Sequence, residues 1–142
     1  MSKLRDVRCG RLGWSRGRAP TDRLRVAVRG DRRFSRAVRV GDRVAVSGTA
    51  PIWPDGSCDP DPGKQALRCL EIIGEALREA GARFEDVVRT RMFITDAGDS
   101  DAVGRAHASV FGEIRPAAAM IVVAGLLDPR WKVEIEAEAF VD

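Results

Sequence analysis

Apolar and polar residues fall into regular patterns from Phe34 onward. The run "FSRAVRVGDRVAVSGTAPI" holds two strand-like stretches, with Ala37, Val38, Val40, Val44 and Val46 at small or β-branched apolar positions. Gly41-Asp42 between them is turn chemistry, which predicts a hairpin. "PIWPDGSCDPDPG" then concentrates Pro, Gly and Asp and reads as a loop, with Pro62 where a first helical turn tolerates it. From about residue 64 to residue 80 the period becomes helical. Leu67, Leu70, Ile72, Ile73, Ala76 and Leu77 form the apolar stripe, and Gly81 ends the helix. "DVVRTRMFIT" is the next strand. "DAGDSDAVGRAHASVFG" predicts a second, shorter helix capped by Asp99 or Ser100, with Val103, Ala106, Val110 and Phe111 inward. Residues 118–126 and "KVEIEAEAFV" close the chain as strands. The order ββαβαββ predicts an α+β fold, two helices covering one face of a mixed sheet.

Alternation along a strand sends successive side chains to opposite faces. In "KVEIEAEAFV", Val133, Ile135, Ala137 and Ala139 turn one way and Glu134, Glu136 and Glu138 the other. The same parity puts Val88, Thr90, Met92 and Ile94 on one side of "DVVRTRMFIT", and Val87, Arg89, Arg91, Phe93 and Thr95 on the other. A charged face results. In a monomer it is the solvated side of the sheet, but two helices do not suffice to hide Phe93 and the apolar strand from Met120 to Val123 as well. Association with further copies of the chain is the economical expectation.

Length and composition limit what this pattern can be. A chain of 142 residues that is 44% hydrophobic suits one domain with one core. The longest apolar run, near Met120 to Leu127, is far too short for a membrane span, and the Arg-rich start lacks the apolar core of a signal peptide. Cys9, Cys58 and Cys69 leave one thiol over in any pairing scheme and show no C-x-x-C spacing, so neither a disulfide framework nor a metal site is suggested and no cofactor is called for. The expected compartment is the reducing cytoplasm. The net charge of +3 hides an asymmetry: residues 1–33 carry 11 Lys and Arg against 3 Asp and Glu, net +8, and residues 34–142 carry 13 against 18, net −5. Residues 1–33 therefore read as a basic extension outside the folded domain. Such an arm is suited to phosphate contacts with nucleic acid, but Trp14 is its only aromatic residue, and neither a stacking platform nor a base-reading helix is visible.

Four blocks in order, "FSRAVRVGDRVAVSGTAP", "GARFEDVVRTRMFITD", "VFGEIRPA" and "VEIEAEAF", resemble the Rid superfamily of reactive intermediate deaminases, also labelled the endoribonuclease L-PSP family. The resemblance spans residues 34–142. It implies a chorismate-mutase-like subunit, a homotrimer, and small-molecule sites in clefts between neighbouring copies. Carried over residue by residue, it implies an incomplete site. The position of the arginine that binds substrate carboxylate in deaminating members is held by Ala118, after Pro116 and Ala117. The tyrosine that opens the first hairpin matches Phe34, a small residue two positions after the arginine matches Met120, and the asparagine of the second helix matches Gly104. Ser47 and Gly48 keep the small-residue bend, and Glu134 matches the acid that positions the attacking water.

Arg91, Arg115, and Arg105 and His107 on the second helix are the residues placed to substitute for the missing cation, although each has a structural alternative. Arg91 and Arg89 suit an acidic row such as Glu134, Glu136 and Glu138 across a subunit interface, Arg115 suits a loop contact, and His107 suits a helix–sheet contact. Three functions remain open: a Rid-like trimer that binds or hydrolyses a small imine, enamine or related metabolite through Glu134 and a nonstandard cation; a non-catalytic binding or regulatory trimer with an apolar cleft at Ala117-Ala118-Ala119; and an endoribonuclease, which only the basic arm supports.

Overall fold

The computed structural model describes residues 23–29 and 34–142. The elements are β1 (Arg23–Arg29), β2 (Phe34–Val40), β3 (Arg43–Thr49), α1 (Pro62–Glu79), β4 (Val87–Ile94), α2 (Ser100–Phe111), β5 (Ala117–Val122) and β6 (Val133–Phe140). The six strands form one mixed sheet in the order β1-β2-β3-β6-β4-β5, in which only β4 and β5 run parallel. Both helices lie on one face, as the pattern predicts.

Gly41, with φ +61°, and Asp42 make the two-residue turn between β2 and β3, where a left-handed backbone suits a residue without Cβ. In α1, Asp61 caps the N-terminus by accepting the Lys64 amide at 2.8 Å, Pro62 opens the first turn, and Gly81 at φ +75° follows the end. The buried stripe of α1 runs through Ala66, Cys69, Leu70, Ile73, Ala76 and Leu77 and packs on Val44, Val46, Val133, Ile135 and Ala137. α2 adds Val103, Ala106 and Phe111, and an edge-to-face contact of Phe111 with Phe84 at 5.4 Å closes that side.

The structure corrects the sequence reading at three places. Arg23–Arg29, assigned to the basic extension, pairs antiparallel with β2, and Val26 is buried in the core, so the sheet begins at Arg23 rather than Phe34. The remainder of that extension, residues 1–22 and 30–33, lies outside the described residues. Secondly, Leu67 is exposed instead of lying on the apolar stripe, and Gln65 is buried. Thirdly, Val87 is buried and Val88 exposed, the reverse of simple alternation. A bulge explains this: β4 advances from Val87 to Arg89 while β6 advances only from Ala139 to Glu138, which leaves Val88 unpaired and inverts the parity before it.

Gln65 joins the two loops that flank the sheet end. Its amide nitrogen donates to the carbonyls of Asp59 at 2.7 Å and Arg130 at 2.9 Å, and its oxygen accepts the Lys132 amide at 2.7 Å. Replacing it with an isosteric apolar residue strands three backbone groups. Gln65→Leu is expected to cost about 3 kcal/mol, each unsatisfied buried group costing about 1–3 kcal/mol. Urea denaturation measures it, and a loss below about 0.5 kcal/mol on the same scale shows that the loops do not depend on this side chain.

Candidate functional site

Residues opposite one another in a ladder share a face of the sheet. On the face without helices, β6 contributes Glu134, Glu136 and Glu138, β4 contributes Arg89, Arg91 and Phe93, and β5 contributes Ala117, Ala119 and Ile121. Arg91 donates to Glu136 Oε1 at 2.7 Å and lies 3.6 Å from Glu138 Oε1; Arg43 pairs with Glu138 at 3.2 Å. The arginine and acidic rows therefore meet within one chain, across adjacent strands. Bonding to Glu136 raises the Arg91 guanidinium above its ordinary pKa. A cavity of about 120 Å³ on this face is lined by Arg89, Arg91, Glu136 and Glu138, so its walls balance two cations with two anions.

Glu134 differs from its neighbours on the strand. Its carboxylate forms none of the ion pairs found among the described residues and rests instead against Gly48, where an added Cβ would collide with it. Gly48 is available there because β3 is irregular between Val46 and Thr49, taking three steps against two on β6. Ser47 Oγ donates to the Ser35 carbonyl at 2.6 Å and Thr49 Oγ1 to the Ser47 carbonyl at 2.8 Å, which pins the bend. Desolvation, followed by repulsion from Glu136, raises the Glu134 carboxyl above the ordinary glutamate range, and Arg36 partly offsets this. A half-buried acid of this kind can accept a proton from water and return one.

The other proposed residues lie elsewhere. Phe34 is an exposed aromatic at the start of β2. Ala118 is opposite Thr90, and Thr90 Oγ1 is 2.8 Å from Nε2 of His107 on α2, so Ala118 is on the helical side of the sheet. Met120, opposite Met92, packs against the core on that same side. The His107 ring lies 4.7 Å from Phe111, and burial lowers its pKa, so the neutral imidazole is favoured. Arg115 has φ 54°, and its amide donates to the Phe111 carbonyl at 2.8 Å, which closes the end of α2. Glu134, Gly48 and Ser47 thus form one group, while His107, Ala118 and Met120 lie on the opposite face of the same chain.

Sequence reasoning missed Arg36, which is 6% exposed and donates to Thr49 Oγ1 at 2.8 Å. The only available signal was a charged residue next to the core position Ala37, and Arg39 on the same strand, which is not buried, looks the same in sequence. Among the described residues no three His, Cys, Asp or Glu side chains are grouped to hold a metal ion, and no helix is long and apolar enough to cross a membrane.

A model of the endoribonuclease L-PSP family matches residues 25–141. An uncharacterised protein of Streptomyces coelicolor is 41% identical over 108 residues, covering 75% of this chain and 81% of its own. The 2-iminobutanoate/2-iminopropanoate deaminase of Mus musculus is 36% identical over 110 residues, covering 75% and 79%. A crystal structure from Mycobacterium tuberculosis, described as a member of the highly conserved YjgF/YER057c/UK114 family, superposes with a TM-score of 0.77 at 40% identity, covering 84% of this chain and all of that one.

The two titrating groups make opposite contributions to stability. Glu134 binds its proton more tightly when folded, so stability falls as pH rises from the ordinary glutamate range through the folded value. His107 binds its proton less tightly when folded, so stability falls as pH drops from the ordinary histidine range. Glu134→Gln is accordingly expected to stabilise the chain at pH 7 relative to pH 4, and His107→Gln to flatten the loss between pH 7 and pH 5. Denaturant midpoints across pH check both; a Glu134→Gln difference independent of pH contradicts the burial argument. Gly48→Ala, which must displace the carboxylate, is expected to cost about 1–3 kcal/mol.

Proposed function

Since this chain belongs to the endoribonuclease L-PSP, or Rid, family, we propose that it hydrolyses a small imine, enamine or related metabolite in a cleft between copies of itself, with Glu134 directing the water. The observation that carries this reading is the Glu134 carboxylate: half-buried, seated on Gly48 and outside the ion-pair rows that occupy Glu136 and Glu138. The deaminase names of the mouse relative and of a Salmonella typhimurium relative, 32% identical over 111 residues, support the reaction class.

The chemistry asks little of the protein. Water adds to the imine carbon, its proton passes to the carboxylate and on to nitrogen, and the tetrahedral adduct expels ammonia to leave a carbonyl; positioning supplies much of the rate. A 2-imino acid also needs a partner for its carboxylate. Ala118 offers none, and Arg91 is held by Glu136. With the family position empty and Arg91 paired, the substrate we favour is an imine or enamine without a free carboxylate, and the Arg115→Ala variant below tests the remaining cation of that strand's entry. Because Ala118 and Glu134 of one chain lie on opposite faces, they serve one small molecule only when they come from different copies, which supports association of copies; the assembly we propose is a homotrimer of the family type, acting in the cytoplasm.

The exposed Ala117-Ala118-Ala119 edge favours a second reading, an apolar cleft that binds a metabolite without turnover. A ribonuclease has less support, because His107, the only histidine, hydrogen-bonds to Thr90 and has no second histidine to form an acid–base pair.

Ammonia release from a panel of imines, run beside RNA cleavage, separates the three. The expected result is turnover of uncharged imines, little from 2-imino acids, and a fall of about 10²-fold or more in Glu134→Ala. Ala118→Arg with Met120→Cys is expected to raise activity on 2-imino acids. Strong deamination of 2-imino acids by the wild type, unaffected by Arg91→Ala and Arg115→Ala, would contradict this account.

A further inference from the structure

We propose that Arg36 is a positioning residue for Glu134, fixing through Thr49 the bend on which the Glu134 carboxylate rests. This builds on the reading of Glu134 as the working acid. Arg36 stands on β2, two strands from β6 in the sheet, and is 6% exposed. Its path to the acid runs through β3. The guanidinium donates to Thr49 Oγ1 at 2.8 Å, and the Thr49 hydroxyl, fully buried, spends its own proton on the Ser47 carbonyl at 2.8 Å. Gly48 lies between these two residues, and its Cα face is the surface against which Glu134 lies. A hydroxyl that must donate to Ser47 can accept only from a group with protons to give, and the arginine fork supplies one in a fixed direction.

A buried cation is expensive unless its hydrogen bonds are made, so a core arginine beside Ala37 needs a reason beyond packing. Shaping the bend supplies one. The charge acts in the same sense. The charged groups that act on Glu134 are Glu136 on its own strand and Arg36 beyond β3, the Cys69 thiol on α1 feels the Glu134 charge from behind, and β4 places the apolar Phe93 opposite it. Of these, Arg36 is the cation that opposes the upward pull of burial and Glu136.

The test reads Glu134 without any substrate, by following the side-chain carboxyl carbon of the full chain by NMR across pH together with the Gly48 amide shift. Arg36→Gln keeps a donor for Thr49 but drops the charge, and is expected to move the Glu134 midpoint upward; Arg36→Lys is expected to return it towards the wild-type value. Thr49→Val breaks the relay and is expected to shift the Gly48 amide and change the Glu134 titration, whereas Thr49→Ser, which keeps the hydroxyl, leaves both near wild type. If Arg36→Gln does not fold, the Thr49 pair decides alone. A Glu134 midpoint and Gly48 amide unmoved by Thr49→Val, or a midpoint unmoved in folded Arg36→Gln, overturns the proposal. Because no turnover is measured, this outcome is independent of whether imines are hydrolysed: the relay can hold in a chain without activity, and fail in an active one.

Discussion

The fold rests on the alternation of β6. Val133, Ile135, Ala137 and Ala139 are buried under α1, while Glu134, Glu136 and Glu138 are committed to the other face, because a strand cannot turn adjacent side chains the same way. A slip of one residue would put three carboxylates into the core, so this strand sets the register of β3 and β4 on either side of it. The register then decides which groups meet. Arg91 falls opposite Glu136, Glu134 falls opposite Phe93, and the irregularity of β3 brings Gly48 under the Glu134 carboxylate. The face without helices carries ion pairs together with the exposed apolar surface of Ile121 at 39%, in a sheet that also exposes Phe34 and Phe140 at 46% each.

Much of the fold was legible because its elements have clean periods. β6 alternates strictly, α1 carries a cap, an N-terminal proline and a terminal glycine, and the β2–β3 turn has its Gly-Asp. The misreadings have physical causes. β1 opens with Arg23, Leu24, Arg25 and Val26, of which only Val26 is buried, and the density of charge in residues 1–33 masked an edge strand. Leu67 and Gln65 exchanged places because a buried glutamine that satisfies three backbone groups is invisible to a hydrophobic stripe. Val87 and Val88 exchanged faces at a bulge, which no two-residue period announces.

The candidate site was legible in its residue types and not in its geometry. Glu134 and Gly48 could be picked out by resemblance, and they touch. Ala118 and Met120, picked out in the same way, lie on the helical side with Thr90 and Met92, because parallel pairing of β5 to β4 fixes their parity against Glu134. A linear motif does not say that its parts belong to opposite faces. Arg91 was expected to balance the acidic row across a subunit interface and does so within one chain, and Arg36 was overlooked because its partner Thr49 is 13 positions away, beyond a turn.

The account therefore depends on a surface that one chain leaves uncovered and on residues that one chain cannot bring together. The measurement that addresses both is the molar mass of the full-length chain in solution, read by sedimentation or light scattering at micromolar concentration and ordinary ionic strength. A mass of three chains that persists on dilution is the predicted result, with Glu134 of one copy meeting the Ala118 edge of the next. A stable monomer would leave the charged face solvated and the two halves of the site apart, and would contradict the account.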